Sequence, residues 1–553
     1  CDGLTSFPQI DTSSVTNYNS AWRECSGITT FPSINTSSGT NFGRAWQSCS
    51  SLTSFPSLDF SSGTNFKEAW GLSPLLTTYP ANQFDTTGTL ASNAFENAWF
   101  ATPLSAQSME NVLTSLDTNG SQNIKADFNS FSNSQISANA STWSTDAIIA
   151  YRNLINKNWT ITQFGTPSMS DLEYTISNSG TSFTLRSVGT VNYTVDWGDG
   201  SSLETSTSNT LAHTYSSSGT YVVKINSNSG ATYKPRFNQS GDEDQITSIA
   251  IGSEDSTEFS TDIQRAFSGA QNMTKYNQVG AATSAVTNFF STWVHCSGLT
   301  SFPLIDTSSG TNFGAAWYSC SGITTFPLID TSSGTHFGAT WFNNSSLTSF
   351  PLINTSSGTN FSGAWRECSG LTSFPLIDTS SGTNFNKTWQ GCSGITTFPL
   401  VDTSNGTNFQ DTWDGCSGLT SFPLIDTSNV TNFNFTWRSC TGLTTFPLID
   451  TSNGTSFTQS WKNCTGITTF PLINTSNGTS VREAWNGCSG LTSFPLINTS
   501  NSTDFIRSWS SCSGITSFPA LNFSNGTDFT EAWRSNAFTS FPSVDFSSAT
   551  TFR

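Results

Sequence analysis

Cysteine is the most reactive side chain here, and it keeps time. Cys296, Cys320, Cys368, Cys392, Cys416, Cys440, Cys464, Cys488 and Cys512 stand at multiples of 24 residues, as do Cys1, Cys25 and Cys49. If successive 24-residue units stack, neighbouring thiols come about 5 Å apart, inside the range that allows a disulfide. The other reading is a column of buried thiols acting as small apolar groups. Two features favour free thiols. Asn344 and Asn536 replace the cysteine in their units, and the unbroken run from Cys368 to Cys512 has seven members, an odd number.

A second row is acidic. Asp306, Asp330, Asp378, Asp402, Asp426 and Asp450 share one place in the unit with Asn354, Asn474 and Asn498. Stacked carboxylates repel, so calcium could bridge Asp306 and Asp330 and their neighbours. Alternatively each Asp or Asn accepts from the backbone of its own turn, which the free exchange of Asp for Asn favours. The same two readings hold for Asp196 and Asp199. The chain has three histidines, His213, His295 and His336. His213 is expected to pack or hydrogen-bond within its own turn, and His336, in an Asn position, to face solvent. With no base beside a nucleophile, acyl transfer lacks its machinery. There is no phosphate-binding glycine loop and no metal signature. The chain reads as no enzyme, with no cofactor beyond the calcium option.

What must position these residues is a tandem repeat. One unit, Cys296 to Ser319, reads CSGLTSFPLIDTSSGTNFGAAWYS. A period of this length signals a solenoid, in which each coil buries its apolar side only against its neighbours. Leu299, Phe302, Ile305, Phe313 and Trp317 recur as Ile323, Phe326, Ile329, Phe337 and Trp341. Their spacing predicts an extended piece, Leu299 to Ile305, then a polar turn from Asp306 to Gly310. A second extended piece and a helical turn carrying Trp317 follow. Pro303 excludes a helix through that point. Stacking places like over like, so Cys296, Cys320 and Cys368, Phe302 and Phe326, and Trp317, Trp341 and Trp365 are expected to form structural ladders. Burying each aromatic is worth about 2–3 kcal/mol.

The fold class is mainly β: two arrays of 24-residue coils, LRR-like or β-solenoid, separated by a small β-sandwich. Residues 1–99 form the first array, and 100–165 a helix-containing cap, with Val112, Leu113, Leu116 and then Ala147 to Ile155 helical, closing at Asn158-Trp159. Residues 166–230 alternate as short strands around Val195-Asp196-Trp197-Gly198-Asp199-Gly200. Residues 231–295 are irregular lead-in coils, and 296–553 the second array, whose last coil is truncated. Opening on a coil boundary and stopping mid-coil, the sequence reads as a window on a longer polypeptide. Its 20 Lys+Arg against 37 Asp+Glu give a net charge of −17. That leaves no basic stripe for nucleic acid, and no apolar run is long enough to span a membrane.

The coil resembles the short leucine-rich repeat of BspA-like bacterial surface proteins, most closely through Asp426-Thr427-Ser428-Asn429-Val430-Thr431-Asn432-Phe433. Residues 166–230 resemble a PKD-like module through the Trp197 turn and His213-Thr214-Tyr215. Phe and Trp replace the family's usual Leu and Met, and the regular prolines depart from it. The resemblance implies an extracellular location, on a cell surface or virion surface, and adhesion or recognition without catalysis. Partners would be a cell-surface protein or glycan.

The triplets Gly314-Ala315-Ala316, Asn386-Lys387-Thr388, Gln410-Asp411-Thr412 and Arg482-Glu483-Ala484 vary freely beside the Trp and are expected to face solvent. Asn386, Lys387, Gln410, Asp411, Arg482 and Glu483 therefore mark a possible ligand face. Rows such as Thr307, Thr331 and Thr379, or Thr311, Thr335 and Thr383, would form a flat hydroxyl face suited to glycan or ice. Sequons recur at Asn405, Asn429, Asn453, Asn477 and Asn525. The reading is a rigid spacer and adhesive surface. Two alternatives stand beside it: a phage virion fibre or decoration protein contacting other virion proteins, and a self-associating subunit of an extracellular filament.

Overall fold

The computed structural model describes residues 3–87, 89–119, 121, 124–127, 144–156, 159–162, 172–228, 234–238, 242–251, 262–278 and 283–553. Cys1, Asn158, the 166–171 start of the sandwich and parts of the lead-in coils lie outside them. The chain divides into two compact units, one holding residues 1–173 and the other most of 174–553.

The coils of the second array share most of one hydrogen-bonding plan, shown here for Cys320 to Asn343. Ile323 N–H closes a turn on Cys320 O (3.1 Å), and Ile329 N–H closes an even tighter one on Pro327 O (3.0 Å). Between them Thr325 bridges Ser301 behind and Ser349 ahead, in parallel. After the Gly334-to-Thr331 turn (2.8 Å), His336 bridges Asn312 and Asn360. The extended pieces are thus single bridge positions rather than strands.

The segment carrying the Trp is not the helical turn that the spacing predicts. Phe337, Ala339, Trp341 and Asn343 donate forward to carbonyls of the next coil at 2.8 Å, while Thr340 and Phe342 donate back three residues. Ala339 (φ 55°) and Asn343 (φ 57°) are left-handed, and equivalent residues repeat this along the array. A helix would turn every N–H along its own axis. The left-handed residues, costing about 1 kcal/mol each, swing alternate N–H groups onto the neighbouring coil, where each finds a carbonyl.

Inside, the tryptophans from Trp293 to Trp533 stack at 5.2–6.0 Å with planes within 10°. Phe302 and Phe326 stack at 6.0 Å, each edge-on to two indoles. Offset and edge contacts of this kind add to area burial. Cys320 and Cys368 Sγ donate to the carbonyls of Trp293 and Trp341, both at 3.0 Å, and Cys392 to Cys512 repeat this, while Cys296 donates to Phe267 O at 3.3 Å; the eleven described cysteines are free and buried. Asn536 Nδ2 makes the same bond to Trp509 O (2.9 Å), but Asn344, fully buried, leaves both amide atoms without a partner.

The first array uses the same plan, with Asn17, Asn41 and Asn65 bridged in parallel and Trp22, Trp46 and Trp70 stacked. Its coil after Trp70 lengthens and meets helix α1 (Ala106–Asn119), which buries Met109, Val112, Leu113 and Leu116. Asn111 and Asn119 side chains donate to the Tyr79 and Phe84 carbonyls, at 2.9 and 3.2 Å. Helix α2 (Thr145–Asn156) lies beside α1, where Asn153 donates to Asp117 at 3.0 Å.

Residues 172–278, between the arrays in the sequence, contribute a six-stranded sheet. In chain order its strands are β1 (Leu172–Ser179), β2 (Tyr193–Asp196), β3 (Glu204–Ser206), β4 (Ser218–Ser227), β5 (Ile246–Ile251) and β6 (Lys275–Gln278), arranged β6-β5-β1-β4-β2-β3. Ser182–Arg186 and Thr210–Thr214 pair antiparallel as a separate ribbon. The sheet therefore draws two strands from the stretch read as irregular lead-in coils. Ile246, Ile249 and Tyr276, buried there, supply their apolar side.

Candidate recognition surface

The acidic row is spent on its own turns. Asp306, Asp330, Asp378, Asp402, Asp426 and Asp450 each accept the N–H two residues on, at 2.8–3.0 Å. Asn354, Asn474 and Asn498 do the same at 3.0–3.1 Å. These hydrogen bonds hold the Asp330, Asp378 and Asp450 carboxyls below the usual range. Asp196 and Asp199 accept from Gly198 and Ser201 N–H at 2.9 and 3.0 Å. Asp199 also takes His213 Nε2 at 2.8 Å, with the imidazole stacked on Trp197 (4.7 Å), and these bonds pull its carboxyl down to about 2. Among the described residues no three acidic, His or Cys side chains gather as a metal site.

The variable triplets come together on the ribbon of tight turns, but not all face water. Thr388 and Thr412 are buried and donate to the Phe361 and Phe385 carbonyls at 2.9 and 2.8 Å. Asp411, expected outside, is only 6% exposed, and burial raises its carboxyl above the usual range. The reason is a neighbour. Arg438 stacks on Phe435 at 4.9 Å and grips Asp414 at 2.6 and 2.9 Å, drawing the guanidinium within 3.8 Å of Asp411.

Asn386 Nδ2 donates to Gln410 O (3.0 Å), and Gln410 reaches Asp411 at 3.2 Å. Arg482 Nε pairs with Asp504 at 2.8 Å, and Glu483 receives Lys462. Lys387 is left-handed (φ 58°) and half-buried. Much of the polarity on this ribbon thus binds coil to coil.

Of the two hydroxyl rows, only one lies on the surface. Thr307, Thr331 and Thr379 are at most 1% exposed, each donating to the Asp or Asn carbonyl of the next coil. Residues at this place end the turn with the side chain aimed inward, where a hydroxyl satisfies a carbonyl. Thr311, Thr335 and Thr383 are exposed and donate to the preceding coil at 3.2 Å. His336 is half-buried in the Asn row, its Nδ1 accepting from Asn360 Nδ2 at 3.1 Å, and burial lowers its pKa. Beside the turns, Asn405, Asn429, Asn453 and Asn477 reach back to Ser carbonyls at 2.6–2.7 Å.

One exposed row was not singled out by the sequence reading. From Leu304 to Leu496, the residue after each Phe-Pro pair is a leucine 60–63% exposed. From Leu328 onward each stands at the centre of the tight Pro-to-Ile/Val turn at 3.0 Å. Such an inverse γ-turn breaks the alternation of an extended chain. Phe326 and Ile329 point inward and Leu328 outward.

No protein-family model and no curated protein matches the chain. It is similar to the crystal structure of a leucine-rich repeat protein from Eubacterium ventriosum, at 12% identity and a TM-score of 0.33, over 66% of this chain and 97% of that one. The architecture is that of a β-rich tandem-repeat protein. Among the described residues no helix is long and apolar enough to cross a membrane.

Proposed function

We propose that this chain is a non-enzymatic, extracellular repeat protein of the BspA-like leucine-rich type with a PKD-like module, serving as a rigid spacer and adhesive surface for a cell-surface protein or glycan. The observation that carries this reading is the division of labour within the coil. Core columns are nearly invariant, while Asn386-Lys387, Gln410-Asp411 and Arg482-Glu483 vary on one ribbon. At about 4.8 Å per coil, ten coils reach about 50 Å, and repeated weak contacts add as avidity. The non-enzymatic part of the reading draws on the thiols, the strongest potential nucleophiles. Burial pushes Cys368, Cys464 and Cys512 up to about 12, so they stay protonated.

The test is a glycan-array and cell-binding screen of the full chain beside a variant with Asn386, Lys387 and Arg482 changed to Ala. Retained binding by the wild type and a several-fold loss in the folded variant are expected. Absence of any ligand, or equal binding by both, would count against it.

A further inference from the structure

The leucine row needs an explanation that the coil itself does not provide. Nine exposed leucines on one line, eight steps of about 4.8 Å, make an apolar strip about 40 Å long. The coil does not require them: Gln9, Ser33 and Ser57 take the same place, exposed, in the first array, and Ala520 and Ser543 in the last coils. Two other outward rows of the second array are equally constant, those of Thr300 and Thr311, but both are polar, whereas this one is leucine nine times in succession. A contiguous apolar patch of this extent on a soluble surface marks an interaction site.

We infer that the row is a pairing surface for a second copy of this chain, two second arrays lying side by side with leucine facing leucine. Three observations select that occupant. The first is area. Each leucine offers about 100 Å², so the row buries about 900 Å² per copy, against about 800 Å² per partner in a standard interface. The second is pitch, since a second copy presents the same side chains at the same 24-residue interval and interdigitates along the whole strip. The third is charge. From Cys296 to Ile497 the first ten residues of these nine coils include no Asp, Glu, Lys or Arg, so two chains of net charge −17 meet on an uncharged face.

Charge also sets the direction. The acidic row of Asp306 and its equivalents runs two residues from the leucines, on one side only. Were the arrays antiparallel, about a two-fold axis along the extended pieces, the two acidic rows would oppose each other. With the two-fold along the array, each acidic row lies over the partner's exposed Thr300-Ser301 row. The pair is therefore parallel.

Sedimentation of the full chain tests this. The wild type is expected to show the mass of two chains, and a variant with Leu352, Leu400 and Leu448 changed to Ser the mass of one. The circular dichroism should stay unchanged, because Ser33 and Ser57 already occupy this place in folded coils. Should the triple variant misfold, Leu400→Glu alone makes the same disruption at one exposed site. A wild type that stays a single chain up to high concentration overturns the proposal, as does a folded variant that keeps the mass of two. Direction is read by cross-linking: Leu304→Cys is expected to form a disulfide with itself in the partner. A disulfide that forms only when Leu304→Cys is mixed with Leu496→Cys overturns the parallel arrangement.

Discussion

The two arrays share an interior and part company on the outside. In both, tryptophans stack a coil apart, at 5.3 and 5.7 Å in the first and 5.2 and 5.9 Å at the start of the second. In both, a buried threonine donates to the next coil, Thr12 to Asn35 and Thr307 to Asp330. Yet the place after Phe-Pro is Gln9, Ser33 and Ser57 in one and leucine in the other. The coil is a carrier whose inner columns are fixed by packing, while an outer row can be rewritten whole. The arrays differ in length too. The first stops against α1 after a few coils, whereas the second continues for eleven, and this separates their responses to damage.

The largest effect is expected from the indole column. Trp413→Ala should cost about 3–5 kcal/mol. Because stacked tandem repeats are held by nearest-neighbour interfaces, hydrogen exchange should accelerate around that coil and stay slow near Trp317 and Trp509. Trp46→Ala, with few coils to share the loss, should release the whole first array; equally local loss in both would break the comparison. Next is Arg438→Ala, which strands two buried carboxylates and should cost about 2 kcal/mol in denaturant unfolding. Its first-array analogue, the exposed Arg44–Glu68 pair, should lose almost nothing on Arg44→Ala.

Smaller and opposite in sign, Asn344→Cys removes an unpaired buried amide and restores the thiol-to-Trp317 bond, for a gain of about 1–2 kcal/mol in the same assay. The smallest is a pH effect. Asp330, Asp378 and Asp450 titrate below the unfolded value, so their contribution is present above that value and lost as pH falls through the folded one. Asp378→Asn should flatten the acid limb of the stability profile while changing neutral stability by about 0.5 kcal/mol or less. Asp411, raised by burial, works in reverse: its contribution is present at low pH and lost as pH rises through the folded value.

The ladders were legible because a strict period forces equivalent residues into register, whatever the local backbone. What the period does not reveal is direction. Leu328 follows Phe326 by two residues, so simple alternation places them on one side, and only the tight turn centred on the leucine separates them. The Trp317 segment looks helical by spacing because consecutive turns and a helix both return a side chain every four residues. The difference lies in left-handed Ala315 and Ser319 (φ 52° and 56°), residue types that give no hint of that conformation. Asp411 looked exterior because its shelter comes from Arg438, one coil further on.

The column of thiols has a consequence for how this molecule ages. While the coils stay closed, burial shields each described sulfur and a backbone carbonyl engages most of them, and alkylating or oxidising agents find little to attack. Once a stretch opens, several ordinary thiols emerge together on a floppy strand, free to couple in whatever order they collide. Refolding would then have to pull mispaired sulfurs back through a space sized for hydrogen-capped ones. A brief excursion above the melting point in air should therefore leave a permanent record, whereas the same excursion under a reductant should be erased on cooling.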